Sequence, residues 1–276
     1  LGHYNADWVR QYYNEYGMKE WNRWEESPVE RIKFFVHLHH LRNHVRSTDR
    51  VLEIGAGAGR FTQQLAKITD RIVVADISSG QLALNRQHAV EHGFADNVED
   101  WMECDMCDLE STFDADTFDV VVCYGGPLSY VFERQHDAIA QLRRATKPGG
   151  KLLFGVMSLW GTIHQYFPGV LDIDIPSNRE IVTTGNLTER TVGPGRHYTH
   201  MYRADELRST LEAGSLEILT MSASNCLTTN WTELLAEVSE DSEKWLHLLE
   251  MEIEASQQPG CLNAGSHMIA VCRKPA

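Results

Sequence analysis

The chain has 276 residues, a formal net charge of −14 and 42% hydrophobic content, enough apolar material for one α/β domain with additions. So acidic a protein repels phosphate backbones. Its densest basic cluster is only Arg143-Arg144 with Lys147, which argues against nucleic acid as a substrate. No apolar run approaches the ~20 residues of a membrane-spanning helix. The chain opens on Leu1 rather than methionine, so a natural start upstream is an expectation only, and it carries no signal-peptide pattern. Six cysteines without an export signal read as reduced thiols, and hence as a cytoplasmic protein.

Residues 1–48 are rich in aromatics, with Tyr4, Trp8, Tyr12, Tyr13, Tyr16, Trp21 and Trp24 leading, and Ser27-Pro28 followed by Glu30 marks a helix start. Two or more helices are expected here. His37, His39, His40 and His44 share one of them. Positions 40 and 44 have the i, i+4 spacing of a metal pair, but no acid or cysteine completes a recognised ligand set, so the expectation is a polar helix face and no metal.

Val51-Leu52-Glu53-Ile54 reads as a short strand running into Gly55-Ala56-Gly57-Ala58-Gly59. Phe61, Leu65 and Ile68 then fall at helical spacing. Glycines at a strand-to-helix turn let a ligand approach the main chain, and the helix start favours negative charge. A dinucleotide fingerprint wants its third glycine one residue later, where this chain has Arg60. Arg71 to Asp76 is a buried-type strand ending in an acid. Asp76 lies near the ~20-residue offset of a carboxylate that grips a ribose; capping of the helix near Ser78 and Ser79 is the plainer role. A helix over 81–92 stops at Gly93.

A third strand spans Val98 to Cys104, followed by Asp105-Met106. Cys104 and Cys107 have the form of a zinc or redox pair but no second pair. Thr117 to Tyr124 is nearly all apolar, as a central parallel strand should be. A helix from Ser129 to Arg144, with Ile139 and Leu142 inward, leads to Lys147-Pro148-Gly149-Gly150-Lys151, a tight turn into a fifth strand.

The E-x-G-x-G-x-G of residues 53–59, Asp76, Asp105-Met106, the fourth strand and the K-P-G-G-K string resemble, in order and spacing, the class I S-adenosylmethionine-dependent methyltransferases of the small-molecule type. The resemblance covers residues 51–157. It implies an α/β, Rossmann-like seven-stranded sheet, mostly parallel with an antiparallel last strand, and S-adenosylmethionine as cofactor. It implies that Gly55, Ala56, Gly57 and Gly59 form the cofactor turn and that Asp76 takes the ribose while Ile77 packs on the adenine. It further implies that Asp105 and the Met106 amide hold the adenine, with Glu53 as a third converging acid. It also implies an N-terminal helical lid from which Tyr12 or Tyr13 reaches the cofactor, and it makes Tyr124 the end of the strand where methyl donor meets acceptor. Tyr124-Gly125-Gly126-Pro127 departs from the Asn/Asp-Pro-Pro-Tyr that many amino methyltransferases of nucleic acids and proteins carry, which weakens a base N-methylation reading.

The expected organisation is a single domain over 1–276. It comprises the lid (1–48), a cofactor half (49–157), a substrate-cover insertion (158–202) and C-terminal helices and strands (203–276). Those last are a helix at 204–213, a strand at 216–222, a long helix at 231–255 and a strand at 267–272. Gly265-Ser266-His267-Met268 has the form of a tag scar but runs into Ile269-Ala270-Val271-Cys272, and so reads as native strand. The insertion is long enough to be functional. Trp160, Tyr166 and Phe167 are candidate walls of an acceptor site, with a homodimer contact as the alternative. His164, His197 and His200 are candidate general bases. The expected reaction is in-line methyl transfer to a small molecule with an O, N, S or C nucleophile. A non-catalytic cofactor-binding protein and an NAD-dependent oxidoreductase are the competing readings.

Overall fold

The computed structural model describes residues 3–276; Leu1 lies outside them. Among the described residues nine strands form two sheets. The large sheet takes β1 (Val51–Ile54), β2 (Ile72–Asp76), β3 (Val98–Glu103), β4 (Phe118–Cys123) and β5 (Thr146–Met157) from the first half of the chain. A two-stranded ribbon, β6 (Asn186–Leu187) with β7 (Thr199–His200), belongs to the insertion. The C-terminal part adds β8 (Glu217–Ala223) and β9 (His267–Arg273). The strand order is β3-β2-β1-β4-β5-β9-β8. All pairs are parallel except those of β9, which runs antiparallel to both β5 and β8. The order reverses between β1 and β4, the switch point at which open α/β sheets bind ligands.

The sheet is apolar on both faces because helices cover both. Leu52 and Ile54 of β1 join one core with Leu152, Phe154, Ile139 and Leu207, while Val51 joins a second with Val74, Val36 and Leu65. Strand alternation therefore decides which layer each β1 side chain enters.

The principal helices are α1 (Ala6–Tyr16), α2 (Pro28–His44), α3 (Arg60–Leu65), α4 (Ser79–Glu91), α5 (Gln135–Ala145), α6 (Ile175–Thr184), α7 (Ala204–Ala213) and α8 (Ser242–Ser256). Ser27 caps α2 by accepting from the Glu30 amide, with Pro28 at its first position. Ser78 caps α4 through the Gln81 amide.

Two expected helices are broken. The 129–144 segment splits into Pro127–Tyr130, a turn at Phe132–Arg134 and α5, because Phe132 sits at φ +44°. The 231–255 segment splits into Thr232–Val238 and α8, where Asp241 accepts from the Lys244 amide as a fresh N-cap. The histidine-rich helix is also not simply a polar face. His37 and His40 are buried in α2, and burial lowers them to about 4 and about 3, so both are neutral.

Candidate active site

The first turn after β1 and the turn after β4 meet at the switch point. Gly55 has φ +68°, and a Cβ built there would lie 2.2 Å from Pro127 Cγ. Only glycine allows that approach at that backbone angle. Gly57 has φ +55°, and its Cβ would lie 2.9 Å from Glu20 Cγ, so the bare main chain forms the floor beneath a side chain from the N-terminal segment.

Above this floor, at the strand tips, is a cleft lined by Ile54, Gly55, Gly57, Asp76, Ile77, Asp105 and Met106, with Tyr13 and Glu20 across from them. Asp76 ends β2. Its Oδ2 accepts from the Gly57 amide at 2.8 Å and its Oδ1 from the Ser78 amide at 2.8 Å. Burial pushes the carboxyl up to about 6, against the pull of the backbone N–H donors of Ser78, Gly57 and Ile77. Asp105, after β3, accepts from the Cys107 amide at 2.8 Å and from the Tyr4 hydroxyl at 2.7 Å. Two carboxylates flanked by apolar Ile77 and Met106 suit a ribose and a purine ring, the first for hydroxyl donors and the second for an exocyclic amine.

The N-terminal helices close this cleft by identifiable bonds. Asn14 Oδ1 accepts from the Ser78 hydroxyl at 2.7 Å and from the Gly80 amide at 2.9 Å. Gln81, fully buried in α4, donates to the carbonyls of Tyr13 at 2.9 Å and Gly17 at 3.1 Å. Arg60 donates to the Trp21 carbonyl at 2.7 Å. The lid is thus fastened to the elements that follow the glycine turn and Asp76.

A second cavity adjoins the first and shares Tyr13, Glu20 and Tyr130 with it. Tyr12, Arg23, Lys33, Met157, His197 and His267 also line it. His197 stacks on Tyr12 at 5.2 Å and lies 5.1 Å from Tyr130, ring centre to ring centre. Burial, with Arg23 nearby, lowers His197 to about 4. His267 opposes Met157 in the β5–β9 register, and burial holds it well below the ordinary histidine value. Its Nε2 is buried without a partner.

Against the expected site, Gly55, Gly57, Asp76, Ile77, Asp105, Met106 and Tyr13 come together around one cleft. Glu53 does not join them. It lies on the β1 face opposite Ile54 and accepts from the Thr62 hydroxyl at 2.6 Å, so two of the three acids converge and Glu20 stands as the third. Ala56 and Gly59 shape the turn from outside the lining. Ala56 donates to the Ala75 carbonyl, and Gly59, at φ +100°, precedes α3. Tyr124 is buried among His37 and Phe61 rather than facing the cleft.

His200 is spoken for: Nδ1 lies 2.7 Å from Asn186 Oδ1 and Nε2 lies 2.9 Å from Glu206 Oε1. That pairing ties the ribbon to α7 and leaves no ring nitrogen to act as a base. His164 is exposed and lines neither cavity. The insertion's candidate walls Trp160, Tyr166 and Phe167 are all exposed, and of the three Tyr166 lines the second cavity. Tyr4, Glu20, Arg23, Tyr130 and His267 were not singled out from the sequence. The i, i+3 spacing of Glu20 and Arg23 inside an aromatic run was their one local signal.

Comparison with known proteins agrees with this geometry. A family model described as a methyltransferase domain matches residues 51–150. The ubiquinone/menaquinone biosynthesis C-methyltransferase UbiE of Stutzerimonas stutzeri is 37% identical over 111 residues, which cover 39% of this chain and 41% of that protein. UbiE of Teredinibacter turnerae is 36% identical over 112 residues, 40% of this chain and 43% of that one. The chain thus spans about two fifths of the length of the curated relatives it matches.

Among solved structures, a chain of the Haloferax volcanii complex between the Trm112 activator and a methyltransferase superposes with TM-score 0.62 at 16% identity, covering 97% of this chain and 98% of that chain. A Thermotoga maritima S-adenosylmethionine-dependent methyltransferase, described as a possible histamine N-methyltransferase, gives 0.58 at 15%, covering 96% and 99%. The N-methyltransferase NodS of Bradyrhizobium japonicum, solved with S-adenosylhomocysteine, gives 0.53 at 17%, covering 92% and 91%. At these identities the structures show the shared fold alone. Residues 51–150 thus match a methyltransferase domain, and the sheet has the fold of the class I S-adenosylmethionine-dependent methyltransferases. S-adenosylmethionine is the cofactor of that class; Asp76, Ile77, Asp105 and Met106 suit its adenosyl part, while Glu20 stands over Gly57 and would have to move for its amino-acid part.

Proposed function

We propose that the protein transfers the methyl group of S-adenosylmethionine to a small-molecule acceptor held in the second cavity. One observation carries the reading: a cleft with Asp76 and Asp105 lies beside a second cavity, with Tyr13, Glu20 and Tyr130 as their common wall. In this reading Gly55 and Gly57 seat the methionyl part, Asp76 the ribose and Asp105 the adenine. When bound, S-adenosylmethionine supplies an electrophilic methyl on a sulfonium. The protein then has to hold acceptor and methyl in line and keep water out, and positioning of that kind accounts for much of a transfer rate. Neutral His197 and His267, both on the acceptor side, can each take a proton from an acceptor that must lose one. The UbiE relatives act in quinone C-methylation by name, which makes a carbon nucleophile one of the acceptors to try.

The test is calorimetry with S-adenosylhomocysteine. The wild type is expected to bind it, and Asp76→Ala to weaken binding at least tenfold. No binding to a folded wild type ends the proposal.

A further inference from the structure

Within the methyl-transfer reading, we propose that the acceptor bears a carboxylate and that Arg23 anchors it in the second cavity. This cavity encloses about 220 Å³. The Arg23 guanidinium carbon lies 4.4 Å from the centre of the Trp24 ring, which holds its plane. Its Nη2 packs against the end of β4, where a Cβ built on Gly125 would come within 3.1 Å of it. Nε and Nη2 are both buried, and neither has a hydrogen-bond acceptor. Glu20 Oε1 approaches Nε at 3.0 Å and offsets charge, but it does not satisfy the donor.

Charged donors buried without acceptors are costly, and native structures meet them with a ligand or water. The adjacent Nε and Nη2 form the planar fork that a carboxylate fits with two parallel bonds. Lys33, the other cation on the lining, is already engaged: its Nζ donates to Glu30 at 2.7 Å and Gln165 at 2.9 Å. Of the acids on the lining, Glu20 and Glu30 are thus paired with Arg23 and Lys33, and Glu26 is exposed. The rings of Tyr12, Tyr16 and His197 offer stacking surfaces for a flat, unsaturated body beside the charge. The methionyl carboxylate of the cofactor is the other source of the same chemistry. Arg23 lines the second cavity, but its Nη2 lies beside Gly125 of the first, so the two sources are separated by titration.

The experiment is calorimetry on the protein loaded with S-adenosylhomocysteine, with benzoate and benzamide as probes. Benzoate is expected to bind at least tenfold tighter than benzamide. Arg23→Gln should erase the difference, and Arg23→Lys should reduce it threefold or more while keeping part of it. Equal binding of the two probes, binding of neither, or a preference untouched by both substitutions overturns the proposal. If Arg23→Gln does not fold, the Lys variant decides by the same criterion. In a second arm, S-adenosylhomocysteine and 5′-methylthioadenosine, which lacks the amino-acid part, are titrated into the variants. Unchanged affinities support the acceptor assignment; a tenfold loss confined to S-adenosylhomocysteine gives Arg23 to the cofactor and overturns it. Failure of the methyl-transfer reading itself is distinguishable, because the wild type would then not bind S-adenosylhomocysteine, and the probe preference is read on the unloaded protein.

Discussion

Asp76 and Glu53 lie in adjacent parallel strands, yet burial sets them to different tasks. Asp76 is raised to about 6 and faces the cleft. As a carboxylate it accepts from hydroxyls on top of its two backbone bonds; as an acid it loses an acceptor site. Affinity for S-adenosylhomocysteine is therefore expected to be flat above about pH 7 and to fall below about pH 6, by up to tenfold per unit. Titrations across that range check it, and Asp76→Asn should be weak at every pH.

Glu53 is raised to about 8 by burial, with the Thr62 bond opposing. A carboxyl whose folded pKa lies above its unfolded value binds its proton more tightly in the native state. Its stabilisation is complete below the unfolded value of 4.5 and is lost as pH rises through about 8. The limiting slope is about 1.4 kcal/mol per pH unit. Chemical denaturation from pH 5 to 9 should show this decline, and Glu53→Gln should flatten it. The E-x-G-x-G-x-G string made Glu53 conspicuous, and the acid at the end of the second strand did the same for Asp76. Their parallel register puts both on the same face of the sheet; what separates them is position, Glu53 inside β1 beside Thr62 and Asp76 at the carboxyl tip of β2, where the cleft opens.

At the scale of elements, the parallel strands were the most legible part of the chain. β1 to β4 each appear within a residue or so of their expected bounds, whereas β5 begins at Thr146 and takes in the Lys147-Pro148-Gly149-Gly150 stretch expected as a turn. Helix continuity was less legible. Phe132 breaks the segment before α5 with no proline or glycine to announce it, because the buried Tyr130, Val131 and Phe132 follow tertiary packing rather than helical periodicity. The break before α8 was readable in principle, since Asp241-Ser242 is a cap pair.

The insertion gave little local signal, yet it is docked closely. Its helix Leu159–Gln165 rests on the loop before β9, where a Cβ built on Gly161 would lie 1.7 Å from the Gly265 carbonyl oxygen. Gly161→Ala must therefore displace backbone. It is expected to cost about 3 kcal/mol, the upper end of overpacking penalties. Gly169, with nothing within 4 Å of its built Cβ, is the control, and Gly169→Ala should stay within about 0.5 kcal/mol of the wild type. Thermal unfolding of the two variants measures the difference.

For the molecule as a whole, the position of the lid is what the sequence could not supply. Aromatic composition indicates that residues 1–48 pack on something; it does not indicate that Gln81 and Asn14 fasten them to the start of α4. Those bonds join the N-terminal helices to the segment directly after Asp76, so these helices and the Asp76 carboxylate are held by the same few residues. Glu20 meanwhile fills the space above Gly57, so a ligand seated on the glycine turn has to displace it and loosen the cover that carries it. Removing the Gln81 donor should shift this equilibrium toward the open form and leave the sheet untouched. In Gln81→Ala, amide exchange over residues 6–25 is expected to accelerate while that of β1, β4 and β5 stays at wild-type rates. S-adenosylhomocysteine should both bind and leave faster, with the larger change in dissociation, because the closed cover contributes to holding it. Hydrogen exchange and stopped-flow binding read the two effects independently. Unchanged rates in both would mean that these bonds do not gate the cleft.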